Sequence, residues 1–182
     1  MEPLVDQVRR TLLGLAGLAA GGALLHGLTR SGLAGAAGGA GKHVFEVVKT
    51  DAEWHASLSP AQFRILRQAG TEYPFSSPLD REKRTGTFAC AGCGLPLFSS
   101  ATKFDSRTGW PSFWQPIDNA VVEEADSSLG MRRVEVLCRR CGGHLGHVFD
   151  DGPPPTGLRY CMNGLAMNFS PAADKTPGGD AS

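Results

Sequence analysis

Two Cys-x-x-Cys pairs, Cys90/Cys93 and Cys138/Cys141, account for four of the five cysteines in this 182-residue chain, and glycine follows each directly as Gly94 and Gly142. Pairs of thiolates on short turns suit a tetrahedral divalent ion, so the pattern predicts one closed four-thiolate zinc site. The second thiolate of such a turn needs the backbone folded tightly beneath the metal, and glycine permits the positive φ this often requires. Four protein ligands leave no open coordination position, which makes the expected zinc structural. The alternative is a disulfide inside each pair, open to a chain in an oxidising compartment. Zinc is favoured because a bond within Cys-x-x-Cys closes a small strained ring of little structural value. The 44 residues between the pairs, 94–137, exceed the roughly 15–20 of a compact zinc ribbon. The ion would join two distant strand ends and close a large excursion between them.

The chain is long enough for one ordinary domain with a leader or tail. Residues 1–40 differ from the rest: Arg9 and Arg10 precede an uncharged Ala/Leu/Gly-rich stretch over 11–28, and small residues follow up to Ala40. Charged start, apolar middle and small-residue end are the parts of an export signal, and the arginine pair leans toward the twin-arginine route. A periplasmic or other extracytoplasmic location is therefore expected. The alternatives are a membrane anchor over 11–28 and a cytoplasmic protein. No cysteine precedes Cys90, which excludes a lipid-anchored lipoprotein.

The folded domain is expected over 41–170. Thr50 to Glu53 and Ser59 to Gln62 each carry a capping-box pattern, with Pro60 at the first helical position and Gly70 placed to end the second helix. Phe63 and Leu66 would turn one apolar stripe toward the body of the protein. From residue 85 to 169 the texture changes to short apolar runs broken by Gly, Pro, Asp and Asn. Residues 133–137 alternate polar and apolar, and 145–149 and 158–169 also read as strands. The fold class predicted is mainly β, a compact antiparallel domain behind two short helices. The polar tail, 171–182, is expected to be disordered. Lys plus Arg equal Asp plus Glu at 18 each, and no basic stripe stands out, so nucleic acid is not an expected partner.

The fifth cysteine, Cys161, lies in the run Leu158 to Asn163. On a strand, Arg159, Cys161 and Asn163 would share one face, with Tyr160 and Met162 on the other. A guanidinium beside a thiol favours the thiolate, the form that attacks. An inert buried cysteine is the commoner fate of a lone thiol, and the polar neighbours argue against it. His144 and His147 are three residues apart, ahead of Asp150 and Asp151, and could move a proton near neutral pH. Gly109 to Trp114 forms an aromatic turn in which Trp110, stiffened by Pro111, could hold a small apolar or sulfur-bearing group. The alternative is that the two tryptophans of the turn are ordinary core, which explains its composition less well.

The motifs Cys-x-x-Cys, Gly-Trp-Pro-Ser-Phe at 109–113, the second Cys-x-x-Cys, His-Leu-Gly-His-Val-Phe-Asp-Asp-Gly-Pro at 144–153 and Leu-Arg-Tyr-Cys-Met-Asn at 158–163 occur in this order. Together they resemble the B-type methionine sulfoxide reductases over residues 51–169. That resemblance implies two antiparallel sheets with a structural zinc on Cys90, Cys93, Cys138 and Cys141. It also implies an enzyme that reduces the R epimer of methionine sulfoxide in oxidised proteins, without an organic cofactor; a monomer is expected. Cys161 would attack the sulfoxide sulfur and become a sulfenic acid. Trp110 would pack against the substrate methyl group. His144 and His147 would bind and protonate the departing oxygen, and Asp151, Arg159 and Asn163 would order that network. Tyr160 and Phe149 match the motifs without an expected catalytic role.

One departure bears on mechanism. Many relatives carry a resolving cysteine in the loop before the tryptophan, where this chain has Thr108. Rescue of Cys161 is then expected from outside, by a thioredoxin-like protein or a small thiol. The main rival is a zinc-bearing β module that binds a ligand in an aromatic cage, and such a module would lack Cys161 with its flanking Arg159 and Asn163.

Overall fold

Two helices precede the strands because the sequence caps both so completely. In α1 (Asp51–Ser57) the Thr50 hydroxyl accepts the Glu53 amide while the Glu53 carboxylate accepts the Thr50 amide. Ser59 and Gln62 repeat this box at the start of α2 (Pro60–Gln68), where Pro60 fills a position that has no amide to lose. The end of α2 differs from expectation. Ala69, not Gly70, takes the left-handed conformation, at φ 50°. Gly70 follows because its amide bonds the Arg64 carbonyl at 3.0 Å, which leaves no room for a Cβ. Trp54, Phe63, Ile65 and Leu66 are buried by these helices.

The structure, a computed structural model, describes residues 43–130 and 132–173. The leader expected over 1–40 and the tail beyond residue 173 lie outside the described residues. Among the described residues, no helix is long and apolar enough to cross a membrane.

The strands are β1 (Gly86–Cys90), β2 (Pro96–Ser99), β3 (Lys103–Phe104), β4 (Ser112–Phe113), β5 (Val121–Asp126), β6 (Arg133–Cys138), β7 (His144–Phe149), β8 (Arg159–Met162) and β9 (Met167–Pro171). They form a three-stranded sheet ordered β2-β1-β9 and a six-stranded sheet ordered β3-β4-β8-β7-β6-β5. Every pairing is antiparallel. The mainly β, two-sheet expectation holds.

One expected strand divides. Residues 158–169 are not continuous: a 3-10 turn at Gly164–Ala166 separates β8 from β9, which belong to different sheets. Pro171 also still pairs with Gly86 and Ala172 bonds Thr85, so the polar tail begins later than 171.

An aromatic stack joins the sheets. Phe98 lies on Phe113 with centroids 4.3 Å apart, Phe88 meets Phe113 edge-on at 5.0 Å, and Tyr160 approaches Phe98 at 5.9 Å. The alternation of β8 then decides the rest. Tyr160 and Met162 are buried on the core side, which turns Arg159 and Cys161 to the opposite face of the large sheet.

Candidate active site

Antiparallel register lines up a row of side chains across that outer face: Phe104, Ser112, Cys161, His147, Glu135 and Glu124 on six successive strands. Cys161 thus has His147 as its cross-strand neighbour on β7 and Ser112 on β4. Gly146 makes this approach possible, since a Cβ there would collide with the Cys161 carbonyl. A cavity of about 180 Å³ opens at this point, lined by Thr71, Trp110, Arg133, Gly146, His147, Phe149, Cys161 and Asn163.

The structure brings Cys161, His147, Trp110 and Asn163 to one cavity. Arg159 and Asp151 stand behind it as a two-pronged ion pair, both bonds 2.8 Å, with the guanidinium over the Phe149 ring at 4.4 Å. His144 does not line the cavity. It is buried, with Nδ1 2.6 Å from the Glu135 carboxylate, Nε2 without a partner, and its ring 5.5 Å from that of His147. Asn163 lies past the end of β8 and is buried: its amide donates to the Leu145 carbonyl at 3.1 Å and its oxygen accepts the Glu72 amide at 3.0 Å. It pins the strand end while showing an edge to the cavity.

The expected pull of Arg159 on Cys161 is present, but burial opposes it. Arg159, Thr108 and Ser112 do pull its pKa down, yet burial outweighs them and pushes the thiol above the ordinary thiol range. Cys161 therefore rests as a thiol. Burial likewise lowers the pKa of His147, opposed by its bond to Asp126. The Asp126 carboxyl is held far below the usual carboxylate range by Ser128, His147 and Arg133. An ionised carboxylate only accepts, so His147 Nε2, 2.9 Å away, must carry its proton there. Nδ1 is left as the free ring nitrogen.

Several of these partners were not foreseen. Arg133 and Glu135 were visible as the polar positions of an alternating strand, but alternation does not say whether a polar face meets water or a site. Asp126 and Glu72 carry no local signal. Glu72 is buried and acts as a hub: its carbonyl accepts the Trp110 indole N–H at 3.2 Å, and its carboxylate accepts the amides of Gly164 and Leu165 at 2.6 and 3.0 Å. Pro111 and Phe113 are core residues, whereas Trp110 is only partly buried. The aromatic turn is half core and half cavity wall.

At the other end of β6 the four remaining cysteines converge. Their sulfurs lie within 4.8 Å of one another, with Cys90 to Cys141 at 3.7 Å and Cys93 to Cys138 at 3.5 Å. Thiolates about 2.3 Å from a tetrahedral ion stand roughly 3.8 Å apart, so the set could hold one metal ion. All four are free, and the short contacts run between the pairs rather than within them, contrary to the disulfide alternative. Each turn closes the same way: Gly94 at φ 74° bonds the Cys90 carbonyl and Gly142 at φ 67° bonds that of Cys138, both at 2.8 Å.

A lone thiol faces a histidine and a tryptophan on a two-sheet β frame that also carries a four-cysteine cluster, and the SelR domain family matches residues 58–171. The chain is 56% identical over 126 residues to the peptide methionine sulfoxide reductase MsrB of Leptospira interrogans, covering 69% of this chain and 96% of that one. It is 55% identical over 127 residues to that of Pseudomonas putida, covering 69% and 96%. Against that of Thiobacillus denitrificans it is 56% identical over 124 residues, covering 68% and 94%. The chain belongs to the MsrB family of peptide methionine sulfoxide reductases, oxidoreductases acting on sulfur.

Proposed function

We propose that this enzyme reduces the R epimer of methionine sulfoxide in proteins, with Cys161 as nucleophile and an external thiol as reductant. The observation that carries the reading is the placement of Cys161 directly across from His147 in a cavity walled by Trp110. The cavity admits one side chain, and Trp110 offers the substrate methyl an aromatic wall. Which substituent meets that wall distinguishes the two epimers.

Because Cys161 rests as a thiol, the proton needed by the departing oxygen starts on its own sulfur. His147, with Nε2 fixed by Asp126, takes that proton at Nδ1 as Cys161 attacks the sulfoxide sulfur, then gives it to the oxygen. Methionine leaves, and Cys161 keeps the oxygen as a sulfenic acid, so sulfur gains the two electrons that cysteine loses. His144, held by Glu135, buttresses His147, while Arg159, paired with Asp151, and Asn163 order the far wall. Two external thiol groups, from a thioredoxin-like protein or a small thiol, then return Cys161 to the thiol and yield a disulfide and water. Thr108, 3.9 Å from the Cys161 sulfur, stands where an internal thiol would act and offers only a hydroxyl.

Cys90, Cys93, Cys138 and Cys141 would hold zinc, which supplies a structural cross-link between strand ends. The enzyme is proposed as a monomer, exported by residues 1–40; the mass of the mature N-terminus tests the export. The function itself is tested by assaying both sulfoxide epimers with wild type and Cys161→Ser under dithiothreitol. Reduction of the R epimer by wild type alone is expected. Equal activity of the two proteins, or turnover of only the S epimer, would overturn the reading. Thiol counting after one turnover without reductant should find no intramolecular disulfide at Cys161.

A further inference from the structure

The catalytic cavity is too small for what surrounds an oxidised methionine in a protein. Sites that enclose a whole small molecule run roughly 300–1,000 Å³, and this one measures about 180 Å³. The rest of a peptide must lie on the surface at its mouth. There the segment 71–76 shows an unusual surface: Tyr73 is 85% exposed and Phe75 59% exposed. Two large aromatic side chains left in water two residues apart on a short loop mark an interaction surface more often than chance packing.

Three features tie this loop to the site. Thr71 lines the catalytic cavity, and the Glu72 carbonyl holds the Trp110 indole. The Phe75 amide bonds the Gly109 carbonyl at 2.7 Å, one residue before Trp110. The loop is also fixed: the Ser76 hydroxyl donates to the Tyr73 carbonyl at 2.6 Å, and Phe75 is held at φ 62°, a conformation that L residues rarely adopt. Finally, Phe75 forms one wall of a second, larger cleft of about 610 Å³ that it shares with Phe104 and Arg107. The same two loops thus line both cavities, with Thr71 and Trp110 on the catalytic one and Phe75 and Arg107 on the larger cleft.

We propose that Tyr73 and Phe75 form a rigid platform that binds the peptide flanking the oxidised methionine and leads it into the cleft beside Phe104 and Arg107. This rests on the reductase reading above and deepens it. Because the platform is fixed before binding, little side-chain and loop entropy is lost when a peptide lies on it. A free amino acid would not reach it. The platform therefore favours methionine sulfoxide in a chain over the amino acid alone.

The test compares a pentapeptide carrying central methionine-R-sulfoxide with N-acetyl-methionine-R-sulfoxide, under dithiothreitol. In Tyr73→Ser and Phe75→Ala the peptide KM should rise roughly five- to tenfold, with kcat/KM for the small substrate unchanged. Val44→Ala and Val48→Ala serve as controls, since both residues are 85% exposed on the segment along the second cysteine turn, where Val47 bonds Arg140. They should change neither substrate. Tyr73→Ser alters only an outward side chain, which keeps the test valid if Phe75→Ala disturbs the loop. An unchanged peptide KM, or equal losses on both substrates, would overturn the proposal. So would a defect seen only when a thioredoxin replaces dithiothreitol, which would assign the surface to the reductant. Wild type inactive on both substrates would overturn the reductase reading and the platform together.

Discussion

At the scale of single residues, the site turns on who holds His147. Its Nε2 bond to Asp126 fixes the tautomer, and Arg133 secures Asp126 from the neighbouring strand at 2.6 Å. Burial lowers the His147 pKa while the Asp126 bond raises it. Removing that bond in Asp126→Asn should therefore lower it further. If neutral His147 accepts the thiol proton, activity fails as pH falls through its pKa. The acid limb of kcat/KM should accordingly move to lower pH in the variant, while the plateau falls roughly 100-fold because the tautomer is no longer fixed. A full pH profile of both proteins reads the two effects separately. A lower plateau with an unmoved limb would mean that Asp126 only supports the fold.

At the scale of elements, β7 and β8 bring His147 and Cys161 together, and their pairing depends on the absence of a side chain at Gly146. Gly146→Ala places a methyl group against the Cys161 carbonyl and close to Met162. Parting the two strands should cost about 1–3 kcal/mol, read as a lower denaturant midpoint, and a loss of activity larger than the loss of folded protein. Much at this scale was legible beforehand. Both capping boxes, the strand into each cysteine turn and the face shared by Arg159 and Cys161 follow from local periodicity and hydrogen-bonding chemistry. The break at Gly164–Ala166 was not legible, because residues 158–169 are apolar enough to read as one strand. The turn exists to change sheets, and the amides it frees are taken by Glu72, a residue more than ninety positions earlier in the chain.

At the scale of the whole molecule, the four-cysteine cluster ties β1 to the end of β6 and to the helices, since Leu66 packs against Gly143 and Trp54 lies over Gly92. A structural zinc there would stabilise every element that meets it. Stripping it with a strong chelator at neutral pH should lower the melting midpoint by about 10 °C or more, as loss of a few kcal/mol does in a domain of this size. Zinc added back should restore it. A midpoint indifferent to chelation and to Cys93→Ser would exclude a stabilising metal. The sequence alone determined the identity and order of the reactive groups: the paired thiols, the odd cysteine, the tryptophan turn and the spaced histidines are chemical types, and spacing suffices to read them. Only the tertiary structure decided their state. Whether Cys161 rests as thiol or thiolate, which histidine faces the cavity, and that Glu72, Asp126 and Arg133 belong to the site all depend on burial and on contacts between distant strands, to which local periodicity is blind.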